Sequence, residues 1–323
     1  MIKNIMRKIF SIEDLIDTEN NSQLYKIIHL LGFKIKFKRL IYKRYLKLVS
    51  KLANQELGKI DISEKDKHSS YVFTMWLQDE IPEIIEMCLD TIKKQYPNVI
   101  LLNEKNIEQY VDVPEYIYKK YKSGKIIPAH FSDYVRCCLL DKYGGLWLDA
   151  SLYMLDKIPK FITNQDFFIL TGQNKKSVSN FFLYSTKNNY IIKCLKIFLE
   201  QYWKDNDIAD NYFFWHRTFR LFNESDPMFN NCYKKSPIYY NTIIKYLSVN
   251  TNIDFDMDLW KYLKNTSFMY KINRKNINAM SNENSFNNYL LNAYRERINS
   301  TKNVANMSQT VVAVERERER ERE

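Results

Sequence analysis

His130-Phe131-Ser132-Asp133-Tyr134-Val135-Arg136-Cys137-Cys138-Leu139-Leu140-Asp141-Lys142-Tyr143-Gly144-Gly145-Leu146-Trp147-Leu148-Asp149-Ala150-Ser151 reads as a helix, a glycine stop and a strand that ends on a carboxylate. Phe131, Val135, Cys138 and Leu139 recur at helical spacing, while Asp133 and Arg136, three apart, share another face. The helix is therefore expected to bury one side and present an acid-base pair on the other. Gly144 and Gly145 terminate it. Beyond them Leu146, Leu148 and Ala150 alternate with Trp147, Asp149 and Ser151, so a strand here points Asp149 and Ser151 the same way. That sets two metal-capable oxygen ligands at the strand's end.

Such an end suits the transfer of a sugar from a nucleotide diphosphate. The leaving diphosphate gains charge as the glycosidic bond breaks, and a hard divalent cation held by one or two carboxylates plus phosphate oxygens neutralises it. The string Ser132, Asp133, Arg136, Leu139, Leu140, Tyr143, Gly144, Gly145, Trp147, Asp149, Ala150 and Ser151 resembles the S-D-x-x-R and L-L-x-x-Y-G-G-x-W-x-D-A-S/T pattern of the bacterial capsular polysaccharide synthesis family. That family is related to the wider group of sugar transferases that use a D-x-D motif. The resemblance implies an α/β chain with a glycosyltransferase-A-like mixed sheet and flanking helices. It implies a glycosyltransferase that moves a sugar from a nucleotide-diphosphate donor to a capsular or lipopolysaccharide acceptor, a glycan or a lipid-linked glycan. Asp133, Arg136 and Asp149 are then the catalytic residues. Asp149 and Ser151 would ligate Mn2+ or Mg2+, and Ser132, Tyr143, Gly144 and Gly145 would contact the donor. One departure matters, because the wider group's second motif aspartate is Ser151 here. A neutral hydroxyl is a poorer cation ligand, so either water and phosphate complete the shell or metal dependence is weak. The competing account of the same residues is a surface helix pair worth ~0.3–0.5 kcal/mol with Asp149 capping a turn.

Composition limits the rest. The chain has 323 residues, 45% of them hydrophobic, enough for one sizeable core with appendages and too many for wholesale disorder. It contains no run of eighteen apolar residues, and no small-residue cleavage site follows its start, so neither a spanning helix nor a secretory signal is expected. This predicts a cytoplasmic protein. Cys88, Cys137, Cys138, Cys194 and Cys232 form no C-x-x-C, and the four histidines show no zinc spacing, which predicts reduced packing thiols. Six glycines supply neither G-x-G-x-x-G nor a P-loop, which argues against dinucleotide and kinase chemistry.

Three regions are expected: a basic helical arm over 1–66, a catalytic domain over 67–300, and a tail over 301–323. Between Gly32 and Lys51 the bases Lys34, Lys36, Lys38, Arg39, Lys43, Arg44, Lys47 and Lys51 occur without an acid, interleaved with apolar residues. This basic amphipathic segment predicts docking on the anionic inner face of a membrane, each base adding ~1 kcal/mol. An equally weighted alternative packs its apolar side on the catalytic domain. Tyr71-Val72-Phe73-Thr74-Met75-Trp76 then opens a strand. The family resemblance makes Trp76 the candidate for stacking on the nucleobase, with a core tryptophan as the alternative. Helix around Ile84 to Ile92, strand over Val99 to Leu102 and helix over Glu115 to Tyr121 continue an α/β alternation, in which ligands bind beyond the carboxyl ends of the strands.

Further on, Phe167 to Leu170 predicts a strand and Tyr190 to Trp203 a helix. The resemblance implies that His216, within the aromatic run Asn211 to Arg217, borders the acceptor. It also aligns Ser267 to Lys271 with a closing H-K-L-T-x-K segment, where Ser267 replaces the histidine and Lys271 is left for the diphosphate. The Glu-Arg repeat from Glu315 to Glu323 is low-complexity and carries no chemistry. Net charge +11 and pI ≈ 9.1, with 24 tyrosines, sustain one alternative: a non-catalytic basic protein that binds nucleic acid or a membrane surface. The transferase reading requires no nucleic acid, and it is favoured because the carboxylate string is otherwise unexplained.

Overall fold

Phe33, Ile35 and Phe37 alternate with Lys34, Lys36 and Lys38, the two-residue period of a strand. The arm is accordingly not helical throughout. In the computed structural model, which describes residues 10–17, 22–30, 33–38, 40–55, 69–172, 177–273 and 282–301, Phe10–Asp17 (β1), Ser22–Leu30 (β2) and Phe33–Lys38 (β3) form an antiparallel meander. Among the described residues of the arm, only Leu40–Gln55 is helix. Nor is that helix an independent arm. Tyr45, Val49 and Leu52, at i, i+4 and i+7, are buried in the main core cluster, and the Tyr45 hydroxyl donates to Asp210 Oδ1 at 2.8 Å. Its apolar face is therefore committed to the protein, while Arg44, Lys47 and Lys51 on the other face are exposed. The Glu-Arg tail lies outside the described residues.

The remaining strands are Val72–Met75 (β4), Ile100–Leu102 (β5), Gly145–Leu148 (β6), Leu152–Met154 (β7), Phe167–Thr171 (β8), Val178–Ser185 (β9) and Met269–Lys271 (β10). Every residue of β4, β6 and β8 is buried, as expected for strands covered on both faces. They belong to one five-stranded sheet of order β5-β4-β6-β9-β8. Its β5-β4-β6 half is parallel and its β6-β9-β8 half antiparallel, the mixed α/β sheet that the alternating pattern predicts. Helices Pro128–Tyr143, Tyr190–Asp205 and Phe214–Ser225 pack against one another. Their buried faces, with Phe73, Trp147 and Leu183 of the sheet, make the core.

The chain divides into two compact units, and residues 67–300 are shared between them. The sheet and these helices belong to the first unit. The second comprises Glu80–Pro97, Ala150–Lys157 and Ile243–Glu323. In it β7 pairs with β10 and the Glu83–Gln95 helix packs on β7. The helix over 286–301 is tied to that helix by Arg295, whose Nε and Nη2 reach the Glu83 carboxylate at 2.8 and 2.6 Å.

Candidate active site

Pro128 occupies the first turn of the site helix, where its missing N–H costs nothing, and Gly144 ends it with φ +66°. All residues from Asp133 to Leu140 are buried. The acid-base pair is therefore not displayed on a free face: the side chains of Arg136 and Asp133 are only 6% and 10% exposed. The helix is packed on both sides, by β6 and β9 and by the helices Tyr190–Asp205 and Phe214–Ser225.

Arg136 is the hub. Its Nε donates to the Ser132 carbonyl at 3.3 Å and its Nη2 to Ser132 Oγ at 3.1 Å. Nη1 donates to the Asn180 carbonyl. Nη2 also stands 3.4 Å from Asp133 Oδ1 and 3.6 Å from Asp149 Oδ1. The guanidinium lies 4.8 Å from the Trp147 ring centroid, a cation–π contact in a desolvated place. The planar fork of arginine is what lets one cation touch so many oxygens at once.

Two further residues complete the cluster, neither of them given a role from the sequence. Trp147 Nε1 donates to Asp149 Oδ1 at 3.0 Å, and Asn180 Nδ2 donates to Asp133 Oδ1 at 2.8 Å. Trp147 was findable, because residues two apart on a strand share a face. Asn180 was not. It reaches the site because the β8–β9 register shifts: Ile169 faces Leu183, yet Leu170 faces Ser179. Such irregularities re-aim side chains, and this one depends on tertiary pairing.

One guanidinium cannot neutralise two carboxylates. Burial pushes the Asp133 carboxyl up to about 7; Arg136 pulls against this, the charge of Asp149 adds to it, and the Asn180 hydrogen bond pulls back. Asp149 differs, with a side chain 27% exposed. The cluster thus pairs a buried acid whose pKa burial raises with a second acid that solvent can reach.

The other expected site residues fall into three places. β4 and β6 run parallel with Phe73 opposite Trp147, so Trp76 and Asp149 leave the sheet at the same carboxyl edge. Trp76 is nevertheless 8% exposed, more enclosed than an open stacking platform. Tyr143, Gly144 and Gly145 lie at the opposite edge, ~13 Å from Asp149 at about 3.3 Å per strand residue. There the Tyr143 hydroxyl donates to the Tyr110 carbonyl at 3.1 Å. A Cβ on Gly145 would sit 2.2 Å from the Tyr71 carbonyl oxygen, so the glycine permits close packing of two strands. The structure does not bring these residues to the carboxylates.

Asp149 and Ser151 do not share a strand. β6 ends at Leu148 and the chain turns at Ala150 and Ser151, because the last ladder bond is Asp149 N to the Phe181 carbonyl at 2.9 Å. Ser151 belongs to the second unit. There its carbonyl accepts from Ile272 N at 2.9 Å, which makes it a neighbour of half-buried Lys271 on β10. Ser267 Oγ donates to the Met269 carbonyl at 2.8 Å. His216 packs edge-on against Phe213 and Trp215 at centroid distances of 5.6 and 5.7 Å. Among the described residues no group of three or more His, Cys, Asp or Glu is placed to hold a metal ion.

The profile of the capsular polysaccharide synthesis protein family matches residues 23–290. The chain belongs to that family. The match takes in the Arg136 cluster, the docked helix Leu40–Gln55 and parts of both units. A solved structure titled PaToxG Glycosyltransferase superposes with a TM-score of 0.36 at 14% identity, covering 60% of this chain and 84% of that one. No curated relative matches the chain. Among the described residues no helix is long and apolar enough to cross a membrane.

Proposed function

We propose that this member of the capsule synthesis family is a nucleotide-sugar-dependent glycosyltransferase with a glycosyltransferase-A-like arrangement, which extends a capsular or lipopolysaccharide glycan. The observation that carries the reading is the placement of Asp149, at the carboxyl edge of parallel strands and held by Trp147 and a buried Arg136. That edge is where open α/β sheets bind ligands.

Asp149 fits a hard divalent ion that takes most of its ligands from a diphosphate and water, since Mg2+ and Mn2+ sites of this class use one or two carboxylates. Bound there, the ion would neutralise the leaving diphosphate. Asp133, protonated near neutrality, suits hydrogen-bond donation rather than metal ligation. The guanidinium of Arg136 is spent on Ser132, Asn180, Asp133 and Asp149, so Arg136 positions the carboxylates rather than gripping the donor. Trp76, at the same edge, is the residue best placed to meet the base. Exposed Arg44, Lys47 and Lys51 support electrostatic association with an anionic membrane surface, where a lipid-linked acceptor would be met.

The test is a panel of nucleotide sugars, each assayed for thermal stabilisation and for hydrolysis with and without Mn2+ or Mg2+. Stabilisation and turnover by at least one donor, both lost in Asp149→Asn, support the assignment. Failure of every donor to bind would refute it.

A further inference from the structure

A cavity lies at the other end of the same sheet. It has a volume of about 210 Å3, room for roughly seven waters at about 30 Å3 each, and therefore for one six-membered ring. It opens beside Phe167 and Thr186, where β8 begins and β9 ends. Ser185 of β9 is the register partner of both Phe167 and Gly145, which puts the cavity at the Gly145 edge, a strand length from Asp149. The carboxylate cluster takes no part in it.

Its chemistry is specific. Phe167, Met228 and Cys232 supply an apolar floor, and Lys187, Lys235 and Asp166 stand at the rim. Burial pushes the Cys232 thiol up, the Lys235 ammonium pulls against it, and the carboxylates of Asp166 and Asp226 add to the push. The helix Tyr190–Asp205 begins at the cavity, adding the partial positive charge of its first turn. Ser236 also lines the cavity, is 7% exposed, and its Oγ has no hydrogen-bond partner among the described residues. A buried hydroxyl without a partner costs free energy unless something polar meets it.

We propose that this cavity is a binding site for one anionic saccharide residue, a sugar ring carrying a carboxylate or a phosphate. Exposed Lys235, with the first turn of the Tyr190–Asp205 helix, favours a negative group. Asp166 would repel a bare anion, but it accepts hydrogen bonds from ring hydroxyls, as the Asn231 amide can donate to them. The apolar floor receives the C–H face of the ring, and Ser236 Oγ meets one of its oxygens. The site is separate from the proposed transfer chemistry and does not depend on it.

The experiment is ligand-observed NMR and calorimetric titration of the full chain with glucuronate and glucose 6-phosphate, against neutral glucose and inorganic phosphate. At least one of the two anionic sugars is expected to bind saturably at millimolar concentration, with glucose and phosphate each at least tenfold weaker. Which of the two binds identifies the anionic group. Lys235→Ala should weaken that binding about tenfold, the scale of one hydrogen bond to a charged group, and Ser236→Ala severalfold. Asp149→Asn should leave it unchanged. Lys235 is exposed, so its variant folds, and an unaltered melting temperature verifies this. The proposal is overturned if neither anionic sugar binds, if phosphate alone binds as well as they do, if Lys235→Ala has no effect, or if Asp149→Asn abolishes binding.

Discussion

Replacing Asp133 by asparagine should flatten the pH dependence of stability. The side chain keeps its shape and an oxygen to accept from Asn180, but it can no longer titrate. In the native protein burial pushes the carboxyl up to about 7 from its ordinary value of 3.8. The folded state therefore holds this proton more tightly than the unfolded chain does. Below the unfolded pKa both states are protonated and the group is neutral to stability. As pH rises toward 7 the unfolded state ionises first, and stability falls by up to ~1.4 kcal/mol per pH unit. Integrated from pH 5 to pH 8 the loss is about 2–3 kcal/mol, the remainder falling between the unfolded pKa and pH 5. Urea unfolding at pH 5 and pH 8, for the wild type and Asp133→Asn, measures it as a double difference. In that difference the pH-independent cost of weakening the Arg136 pair cancels. The variant should lose about 2–3 kcal/mol less than the wild type over this interval. Parallel pH curves for the two proteins would show that Asp133 is already ionised against Arg136 at pH 5, and the division of roles between the two acids would fall with it.

Asp149→Asn should lower transfer by two to three orders of magnitude with little change in melting temperature, since the amide oxygen can still accept from Trp147 while the charge that would hold a cation is gone; near-normal kcat would sink the metal assignment. Arg136→Lys should cost about 2 kcal/mol or more in chemical denaturation, because a point charge cannot reproduce the contacts to Ser132, Asn180 and both carboxylates. A stability equal to wild type would contradict the hub geometry. For Gly145→Ala, φ of +98° together with the contact to the Tyr71 carbonyl predicts a loss of about 3–5 kcal/mol, read as reduced soluble yield and a lowered melting temperature; an unaffected protein would mean the two strands can part. Reversing Lys47 and Lys51 to glutamate should reduce sedimentation with anionic vesicles and leave the melting temperature alone, as both are exposed. Equal sedimentation of the two proteins in low salt would refute electrostatic docking.

Much of this protein is legible in one dimension. The run from His130 to Ser151 determines a helix, its glycine stop and the buried strand β6, because each is a local matter of periodicity and backbone conformation. The α/β alternation from Tyr71 to Leu102 is legible for the same reason. Even the strand over Phe33–Lys38 is written in its strict alternation, although its run of bases invites a helical reading. What the sequence could not determine is which neighbours each face would meet. Asp133 and Arg136 form the pattern of a surface pair, and only the packing of helices and sheet on both sides turns them into a buried cluster with a displaced pKa. The glycines that resemble donor contacts prove to let the chain pack closely at the far edge, a matter of which end of β6 they occupy. Asn180 joins the site through a register shift between β8 and β9, and Ser151 falls outside the strand because β6 runs out of ladder partners. Hydrogen-bond pairing between distant segments sets these outcomes, and it is decided by the whole sheet rather than by any stretch of the chain.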